Sequence, residues 1–472
     1  SEMCIRDSGY AALKDNTASN NTAVGYYSLN ANTTGENNTA VGRQALIVNT
    51  TGDHNTSMGS NSLTANTTGE HNTAVGKQAL AANTTADNNS AFGYYALNSN
   101  TTGNTNNAFG RGALGSVTTA DANCAFGDYA LQANTATENT AFGYRALYSN
   151  TTGTALAAVG KNALYANTTG DYNTAVGHGC LDACTTGQYN TAVGGAALTT
   201  NSASNNNTAV GYVALQSCTA ASNTAVGYKA LQDCSTGADN AAVGTGAAKD
   251  VTTGHSNTAV GKDAFNLATT ASYNTLIGHD AGLNISTGDN NTCLGYRAGT
   301  SNSPSGQLTT DSNYFVLGDD NTNNLFCADT SISSSDSRDK ADITNFTPGL
   351  GWIKSLRPVT YKWDKRSWYL GEDENDITAV TRDGSKKKSK VHIGFIAQEV
   401  LDIEKENGFG DTEDTMLTVN LTDDGKRYGL KYERLVPVLV NAIKELKAEN
   451  DELRSLIKDS KTFASLKSSI NN

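Results

Sequence analysis

A pentapeptide close to NTAVG returns every 17 residues along most of this 472-residue chain. The interval shortens to 16 residues at two places, and Gly9 lies 16 residues before Gly25. The key glycine of the pentapeptide stands at positions 25, 42, 59, 76, 93, 110, 127, 143, 160, 177, 194, 211, 227, 244, 261, 278 and 295. Because so short a repeat buries its apolar residues only by stacking on its neighbours, the period restricts the chain to repeat architectures.

The pattern within each repeat identifies the kind of coil. A repeat reads roughly N-T-A-V-G-x-x-A-L-x-x-N-T-T-G-x-x, and its two short apolar patches separated by turn residues are typical of two strands and two turns. A helix would need about ten or more residues with a period of about 3.6 and no central glycine. The sequence therefore predicts a mainly β fold, a parallel β-solenoid (β-roll) of 17-residue coils over residues 9–300. We expect Val24, before the key glycine, and Leu29, four residues after it, in the interior.

One polar position repeats inside this pattern. Ten of the 17 repeats from Gly9 to Gly278 carry Asn seven residues after the key glycine, and the others carry only Cys, Val, Ala or Ile there. Stacked inward Asn side chains can bond to one another and to turn backbone, so their amides need not be buried unpaired. This position therefore predicts a buried Asn ladder, formed by Asn16, Asn32, Asn49, Asn66, Asn83, Asn100, Asn134, Asn150, Asn167 and Asn201.

Two cysteines occupy the same position on adjacent coils. Cys218 and Cys234 would then lie about 4.8 Å apart, the spacing of neighbouring strands. That spacing is close to the range in which a disulfide forms, but a small buried hydrophobic role is the favoured interpretation. The disulfide state of the pair is open at the level of sequence.

Small residues recur at two further positions, two before the key glycine and three after it. Small side chains let neighbouring chains approach closely, and a single thin solenoid buries few apolar side chains per coil. We therefore expect an oligomer that uses these positions, which include Ala23, Ala40, Ser57, Ser28, Ala45 and Ser62.

Composition excludes several classes of function. With 34 basic and 46 acidic residues the formal charge is -12, so nucleic acid is not an expected partner. No apolar run approaches the roughly 20 residues of a membrane helix, which argues against membrane insertion. The eight cysteines form no CxxC pair and the six histidines are scattered, so we expect neither a metal site nor another cofactor. The basic run Lys386–Lys390 is interpreted as a solvated loop.

The repeats resemble the head repeats of trimeric bacterial adhesins and of phage tail fibres, which are left-handed β-rolls built from NSVAIG-like coils. The resemblance covers residues 9–300. Residues 1–8, SEMCIRDS, fit no repeat and resemble translated adapter sequence, so we expect a non-native leader and a missing natural N-terminus.

All four prolines and all three tryptophans lie beyond residue 303, where a second architecture begins. Residues 301–334 are interpreted as a strand-rich neck. Four ordered motifs beyond it resemble the endosialidase-type intramolecular chaperone, a self-cleaving peptidase domain of phage tail fibres and spikes that also occurs in the myelin regulatory factor family. The motifs are SDSRDKADI from Ser335, LRPVTYKW from Leu356, HIGFIAQEV from His392 and YGLKYERLVPVLVNAIKEL from Tyr428. The resemblance implies a small α+β chaperone domain over 335–434.

The end of the chain shows a heptad pattern. Apolar residues alternate spacings of four and three, which predicts a coiled coil over 435–460 followed by a tail over 461–472. Asn450 at an a position would fix the register, although a surface helix is the alternative for so short a seam. The seam consists of Leu439, Ile443, Leu446, Asn450, Leu453 and Ile457.

The resemblance also implies a cleavage site. In the family the chain is cut before the serine of the SDxRxK motif, which here is the Ser334–Ser335 bond, with Ser335 as nucleophile and Lys340 as general base. Serine is a weak nucleophile without a base, and a lysine serves as one only when desolvation or a nearby cation lowers its pKa. His392 and Glu399 are possible supporting residues, with structural roles as the alternative.

These observations predict a homotrimeric phage tail fibre or spike for host attachment, located in the virion and released from its chaperone domain by single-turnover autoproteolysis. The alternatives are a bacterial surface or secreted trimeric adhesin with the same domain, and a fibre enzyme that degrades polysaccharide, which would need two positioned carboxylates. The expected partners are two further copies of the chain, phage tail components and a host surface glycan or protein receptor. Receptor contacts are expected at the two residues after each key glycine, which include Tyr26, Tyr27, Arg43, Lys77, Tyr94, Tyr95, Arg111 and Tyr212.

Overall fold

The computed structural model describes residues 6–322, 340–369, 379–421, 427–459 and 467. The chain divides into two compact units. The first consists of Ser1–Thr300 and Leu308–Leu317, and the second of Ser301–Gln307 and Gly318–Asn472.

The first unit is a parallel β-solenoid, which confirms the predicted fold class. Each coil contributes one three-residue strand, and each strand pairs in parallel with the strands of the coils before and after it, with Thr39 opposite Thr22 as one example. The strands are β1 (Arg6–Ser8), β2 (Thr22–Val24), β3 (Thr39–Val41), β4 (Thr56–Met58), β5 (Thr73–Val75), β6 (Ser90–Phe92), β7 (Asn107–Phe109), β8 (Cys124–Phe126), β9 (Thr140–Phe142), β10 (Ala157–Val159), β11 (Thr174–Val176), β12 (Thr191–Val193), β13 (Thr208–Val210), β14 (Thr224–Val226), β15 (Ala241–Val243), β16 (Thr258–Val260), β17 (Thr275–Ile277), β18 (Thr292–Leu294) and β19 (Phe315–Leu317).

The strand places its small residue inside and its large one outside, so the prediction for Val24 is wrong. Ala23 is fully buried, whereas 42% of Val24 is exposed. Successive side chains of a strand point to opposite faces, so Val24 must point outward once Ala23 points inward. The small residues predicted to meet neighbouring chains, such as Ala45 and Ser62, are likewise fully buried within their own coils. They therefore fill the narrow interior and cannot form the oligomer contact.

The second apolar patch of each repeat is a turn, not the second strand that the pattern predicted. Tyr27 and Leu29 have φ values of 53° and 48°, in the left-handed region. A leucine there costs on the order of 1–2 kcal/mol, and burying its side chain completely offsets this by about 1.5–3 kcal/mol. Main-chain bonds still join this side of adjacent coils, as from Leu29 N to Ala45 O at 2.9 Å.

The key glycine is required by the approach of the next coil. Gly25 has φ 130°, and a Cβ on it would lie 2.7 Å from the carbonyl carbon and oxygen of Gly42. No side chain fits at that distance, because the neighbouring atoms belong to backbone that is itself bonded in the stack. This explains why every coil from Gly25 to Gly295 keeps the glycine while its neighbours vary.

The predicted Asn ladder is confirmed. Asn32, Asn49 and Asn66 are fully buried. The Asn49 amide donates 2.8 Å to Asn32 Oδ1 and 3.0 Å to the Gly52 carbonyl, and Asn66 repeats this one coil later. Within the described part of the chain, Asn100 Oδ1 and Asn167 Oδ1 are buried without a hydrogen-bond partner. They are the last members before Val117 and Cys184, so the ladder loses a donor wherever an apolar residue interrupts it.

A second Asn ladder, not predicted, uses the Asn that opens the NTAVG pentapeptide. Asn21 Oδ1 accepts from the Asn38 backbone N–H at 2.9 Å, and the Asn38 amide donates 2.8 Å to the Gly52 carbonyl. The same contacts recur through most coils, with Leu156 as the interruption. Backbone groups at the turn are thereby satisfied without water, as buried N–H and C=O groups require.

The solenoid extends beyond both predicted limits. β1 pairs with β2 although its residues were assigned to the leader, because strand pairing uses main-chain groups and is indifferent to the repeat consensus. At the other end β19 pairs with β18, so residues 308–317, predicted to belong to the neck, form a further coil.

Cys218 and Cys234 stack on adjacent coils as predicted. Both are fully buried free thiols, with the two sulfurs 3.6 Å apart. The structure therefore gives them the role of small buried side chains.

The second unit is a small α+β assembly. Its helices are α1 (Leu350–Ser355), α2 (Ala397–Glu406) and α3 (Leu435–Asp459), with 3-10 turns at Arg366–Tyr369, Glu413–Thr415 and Tyr432–Arg434. β20 (Val359–Tyr361) pairs antiparallel with β21 (His392–Gly394), and β22 (Val419–Leu421) with β23 (Tyr428–Leu430). One core joins the three helices through Trp352, Ile403 and Val438, and a second lies around Val400, Leu401 and Val419.

Candidate functional site

The predicted cleavage bond lies at the edge of what the structure describes. Ser334 and Ser335 fall outside the described residues, so their roles stay predictions. Lys340, the predicted base, is described and its side chain is exposed. A lysine acts as a base only after desolvation or with a cation beside it. One folded chain therefore does not by itself bury Lys340 as the predicted chemistry requires.

The backbone that follows Lys340 is bound by the last helix. The Asn441 amide donates 2.8 Å to the Phe346 carbonyl and 3.2 Å to the Pro348 carbonyl. One turn further along α3, Glu445 Oε2 accepts 2.7 Å from the Leu350 backbone N–H, the first residue of α1. A carboxylate at a helix N-terminus is stabilising because it meets unpaired N–H groups and the positive end of the helix dipole.

Gly349 makes this contact possible. A Cβ there would lie 2.3 Å from Glu445 Oε1 and 3.1 Å from the Ala442 backbone nitrogen. Trp352 and Val438 pack together just beyond, so α1 and α3 meet through both polar and apolar contacts. Helix α3 thus contacts residues 346–350 directly, six to ten positions after Lys340.

The predicted supporting residues have partners of their own. His392 lies on β21, where its ring stacks on Tyr361 with centroids 5.6 Å apart and meets the edge of Trp363 at 6.3 Å. Glu399 lies on α2 and forms a bidentate ion pair with Arg357, with Glu399 Oε2 3.0 Å from Arg357 Nε. Hydrogen bonding to Arg357 lowers the pKa of Glu399, and the pKa of Arg357 is raised by the same contact. Both residues therefore have structural contacts in the folded chain.

A buried carboxylate that the sequence analysis missed organises the centre of this unit. Glu404 on α2 is fully buried and accepts from the backbone N–H groups of residues 417, 418 and 419 at 3.0, 2.6 and 3.1 Å, and from the Thr418 hydroxyl. A charged acceptor with several N–H donors is among the stronger hydrogen-bonded arrangements. Glu404 thereby fixes the entry to β22 against α2. The sequence signal for this buried role was the position of Glu404 on the same helical face as the apolar residues Val400, Leu401 and Ile403.

The predicted coiled-coil seam is exposed on the single chain. Leu435, Val438 and Ala442 face the unit's own core and are buried. The seam lies on the remaining surface of α3, with 64% of Ile443 and 49% of Leu446 exposed. Helix α3 thus has two apolar faces, one packed within the chain and one available to other chains. The exposed members are Leu439, Ile443, Leu446, Leu453 and Ile457.

The basic run 386–390 is exposed, as predicted, but it also contacts aromatic rings. Lys388 Nζ lies 4.9 Å from the centre of the Trp368 ring, and Lys386 Nζ lies 5.5 Å from that of Tyr369. These contacts indicate a structural role for the basic loop.

On the solenoid, only the first of the two predicted receptor positions is prominent. Tyr26, Tyr94 and Tyr212 are exposed directly after their key glycines. The second residue of each pair is half-buried, as for Tyr27 and Tyr95, or buried, as for Val213. Arg43, Lys77 and Arg111 share the exposed position, and Lys77 Nζ lies 5.7 Å from the centre of the Tyr94 ring. The exposed column therefore combines aromatic faces with cations.

Within the described residues, no group of three or more His, Cys, Asp and Glu side chains is placed to hold a metal ion. None of the helices in the described part of the chain combines the length and apolar character that crossing a membrane requires.

Residues 335–409 match the family model described as the chaperone of endosialidase. The match begins at Ser335 and includes Lys340, His392 and Glu399. It ends before the fourth motif that carried the resemblance, so helix α3 lies outside it. Neither a curated protein nor a solved structure matches the chain closely enough for comparison.

Proposed function

We propose that this chain forms a homotrimeric phage tail fibre or spike for host attachment, and that its C-terminal domain drives trimerisation and then releases itself by autoproteolysis before Ser335. The observation that carries the proposal is the chaperone-of-endosialidase match over residues 335–409, directly after a long β-solenoid. In this proposal the chaperone domain performs the self-cleavage, and the solenoid forms the rigid, repetitive body of the fibre.

In the proposed reaction Ser335 Oγ attacks the carbonyl carbon of Ser334 while Lys340 Nζ accepts the hydroxyl proton. The peptide C–N bond breaks, the Ser335 amino group leaves with a proton, and the Ser334 carbonyl is left as an ester on Ser335 Oγ. Water then hydrolyses the ester to a carboxylate on Ser334 and restores the hydroxyl. Each chain reacts once, so the protein is an autoprotease without turnover of other substrates.

Assembly of the trimer would supply the desolvation of Lys340 that this reaction requires. Lys340 is exposed on the single chain, and packing of two further chains would remove it from water. The α3 seam offers the apolar surface for that assembly, and α3 binds residues 346–350 through Asn441 and Glu445. Trimerisation through the seam would therefore order the backbone that follows Lys340.

Cleavage after assembly would leave the fibre without the domain that folded it. Its stability then depends on the barrier to unfolding rather than on an equilibrium that can be reversed by refolding. Slow unfolding benefits a fibre that is exposed outside the cell for long periods, and this benefit explains why the folding domain is removed. We place the mature fibre in the virion.

Host attachment is assigned to the exposed column after the key glycines. Aromatic faces such as Tyr94 and Tyr212 stack on sugar rings, and neighbouring cations such as Lys77 bond to their hydroxyl or acidic groups. The proposed receptor is a host surface glycan or protein. Other tail components are the expected partners for attachment of the fibre to the particle.

The cut is tested by intact-mass spectrometry of the purified full chain. The wild type should give one product ending at Ser334 and one running from Ser335 to Asn472. Ser335→Ala should stay full-length, and Lys340→Ala and Lys340→Arg should too, because no neutral amine remains to accept the proton. The matched controls Ser334→Ala and Lys354→Ala should be cut as the wild type is. Normal processing of Ser335→Ala would exclude the proposed dyad.

A further inference from the structure

One face of the solenoid carries an apolar stripe along its whole length. We define the strand-face stripe as the residue before each key glycine, together with its counterpart in the last coil. All 18 members are Val, Met, Phe, Ile or Leu. Each is exposed or half-buried, and the exposed ones show about two-fifths of their surface, such as Val159 at 42%. The stripe consists of Val24, Val41, Met58, Val75, Phe92, Phe109, Phe126, Phe142, Val159, Val176, Val193, Val210, Val226, Val243, Val260, Ile277, Leu294 and Leu317.

The stripe is continuous. Phe92, Phe109, Phe126 and Phe142 stack on one another with ring centroids 4.6, 4.2 and 4.9 Å apart, and their rings are within 10° of parallel. The summed exposed apolar surface is on the order of 1,000 Å², whereas a monomeric protein rarely exposes a contiguous patch above a few hundred Å². That area also matches the roughly 800 Å² that each partner buries in a stable interface.

The same face is free of charge. The other outward position of each strand, three residues before the key glycine, is mostly Thr, and between β2 and β19 neither column contains Asp, Glu, Lys or Arg. The exposed column after the glycine, in contrast, includes Arg43, Lys77 and Lys262. Interface centres are depleted of charge, so the chain separates an uncharged face from a charged one.

We infer that the strand-face stripe is the contact between solenoids in the proposed trimer, and that its partners are the other two copies of this chain. The stripe repeats once per coil over the full solenoid, so a partner must repeat with the same rise. A parallel copy of the chain does so. Under cyclic symmetry each stripe residue lies at the same height in all three copies, so Phe meets Phe and Val meets Val. Chains of net charge -12 also repel one another except across an uncharged face.

This inference rests on the proposed trimer, and symmetry gives it a direct test. A cysteine placed on the stripe should meet its own copies, whereas one elsewhere on the coil should not. The full chain would first have the half-buried Cys124 and the two cysteines that lie beyond the described residues replaced, by Cys4→Ser, Cys124→Ser and Cys327→Ser. Val159→Cys would then be compared with the matched control Thr152→Cys, an exposed turn residue of the adjoining stretch.

After mild oxidation, Val159→Cys should give a covalent dimer on a non-reducing gel, in at most about two-thirds of the chains because three thiols form one disulfide. Thr152→Cys should remain uncrosslinked. Sedimentation of the same samples shows whether the chains are trimers. A trimer in which Val159→Cys stays uncrosslinked would overturn the stripe contact while leaving the trimer intact. A monomer would overturn both, and a monomer that binds a foreign protein through the stripe would assign the face to another partner.

A charge substitution gives an independent readout. Val159→Glu with Val176→Glu would place six carboxylates at two adjacent levels of the interface, and should shift the sedimentation of the chain from trimer toward monomer. Thr152→Glu with Thr169→Glu, both exposed, should leave the sedimentation unchanged. Equal sedimentation of the two double variants would contradict the assignment.

Discussion

Inserting an asparagine into the solenoid core should have unequal consequences at two valines of the same column. Val117 and Val251 are both fully buried at the ladder position. Val117 follows Asn100, whose Oδ1 has no partner within the described chain. Val251 lies between Cys234 and Ala268, which offer no amide. Val117→Asn can therefore extend the ladder, whereas Val251→Asn cannot.

The difference can be estimated from the groups left unpaired. Each substitution removes a buried valine, worth about 1.5–3 kcal/mol. In both, one N–H can reach a turn carbonyl, as Asn49 reaches Gly52 O. At residue 251 the second N–H and the oxygen stay unpaired, at about 1–3 kcal/mol each. At residue 117 the second N–H pairs with Asn100 Oδ1 and also relieves that atom. Val117→Asn should thus be more stable than Val251→Asn by about 2–6 kcal/mol, the sum of two such terms.

Native-state hydrogen exchange is the suitable assay, because a long repeat array does not unfold in two states and a single midpoint would mix its parts. Peptides that cover the substituted coil report its local opening free energy. The two variants should differ in protection by at least about 30-fold, and by up to about 25,000-fold, with the Val117→Asn coil the better protected. Equal loss of protection at both sites would refute the ladder account, because the neighbouring Asn would then be irrelevant.

Three further outcomes follow from the second unit and the buried thiols. Leu446→Asp, which charges the α3 seam, should block both trimer formation and cleavage, as seen by sedimentation and intact mass; a cleaved monomer would show that the cut does not wait for assembly. Glu445→Ala removes the carboxylate at the start of α1 and should slow cleavage about tenfold in an intact trimer. The control Glu452→Ala, at an exposed position of the same helix, should leave the rate unchanged. Equal cleavage rates in the two variants would show that α3 does not act on the cleavage site through Glu445. Burial raises the pKa of Cys184 to about 11, so the folded coil keeps the thiol protonated while the unfolded chain ionises above about pH 8.5. Cys184 alone should lower stability by up to about 3 kcal/mol as the pH rises to 11, and Cys184→Val should reduce the alkaline loss of stability in urea titrations by about that amount, while the buried Cys180 and Cys293 keep theirs.

The period and the pattern of replacement predicted the solenoid and its first Asn ladder. Asn49 could be placed inside because only apolar residues replace it in other coils, which a solvent-facing Asn would not require. The same reasoning failed for Val24. Strand alternation shows that Ala23 and Val24 point to opposite sides, but it does not show which side is inside. Hydrophobicity favoured the valine, whereas a coil already filled by the buried Leu29 takes the alanine.

The candidate site, too, could be predicted from the sequence only in part. The motif from Ser335 to Lys340 carried the predicted chemistry, because its residue types and order are local in the sequence. The contact between Glu445 and Leu350 joins residues 95 positions apart and depends on how α3 packs against α1. No spacing rule reports such a pair. Glu404 is similar, since its role depends on three N–H groups that converge only in the folded unit.

In the proposed maturation, three chains assemble and each then cuts itself once. Native mass spectrometry of the purified full chain, beside Ser335→Ala, measures copy number and cleavage together. The wild type should appear as a complex of three chains ending at Ser334, with the segment from Ser335 to Asn472 as the second product. Ser335→Ala should appear as three uncut chains. An uncut wild-type monomer, or a monomer already cut before Ser335, would contradict the account.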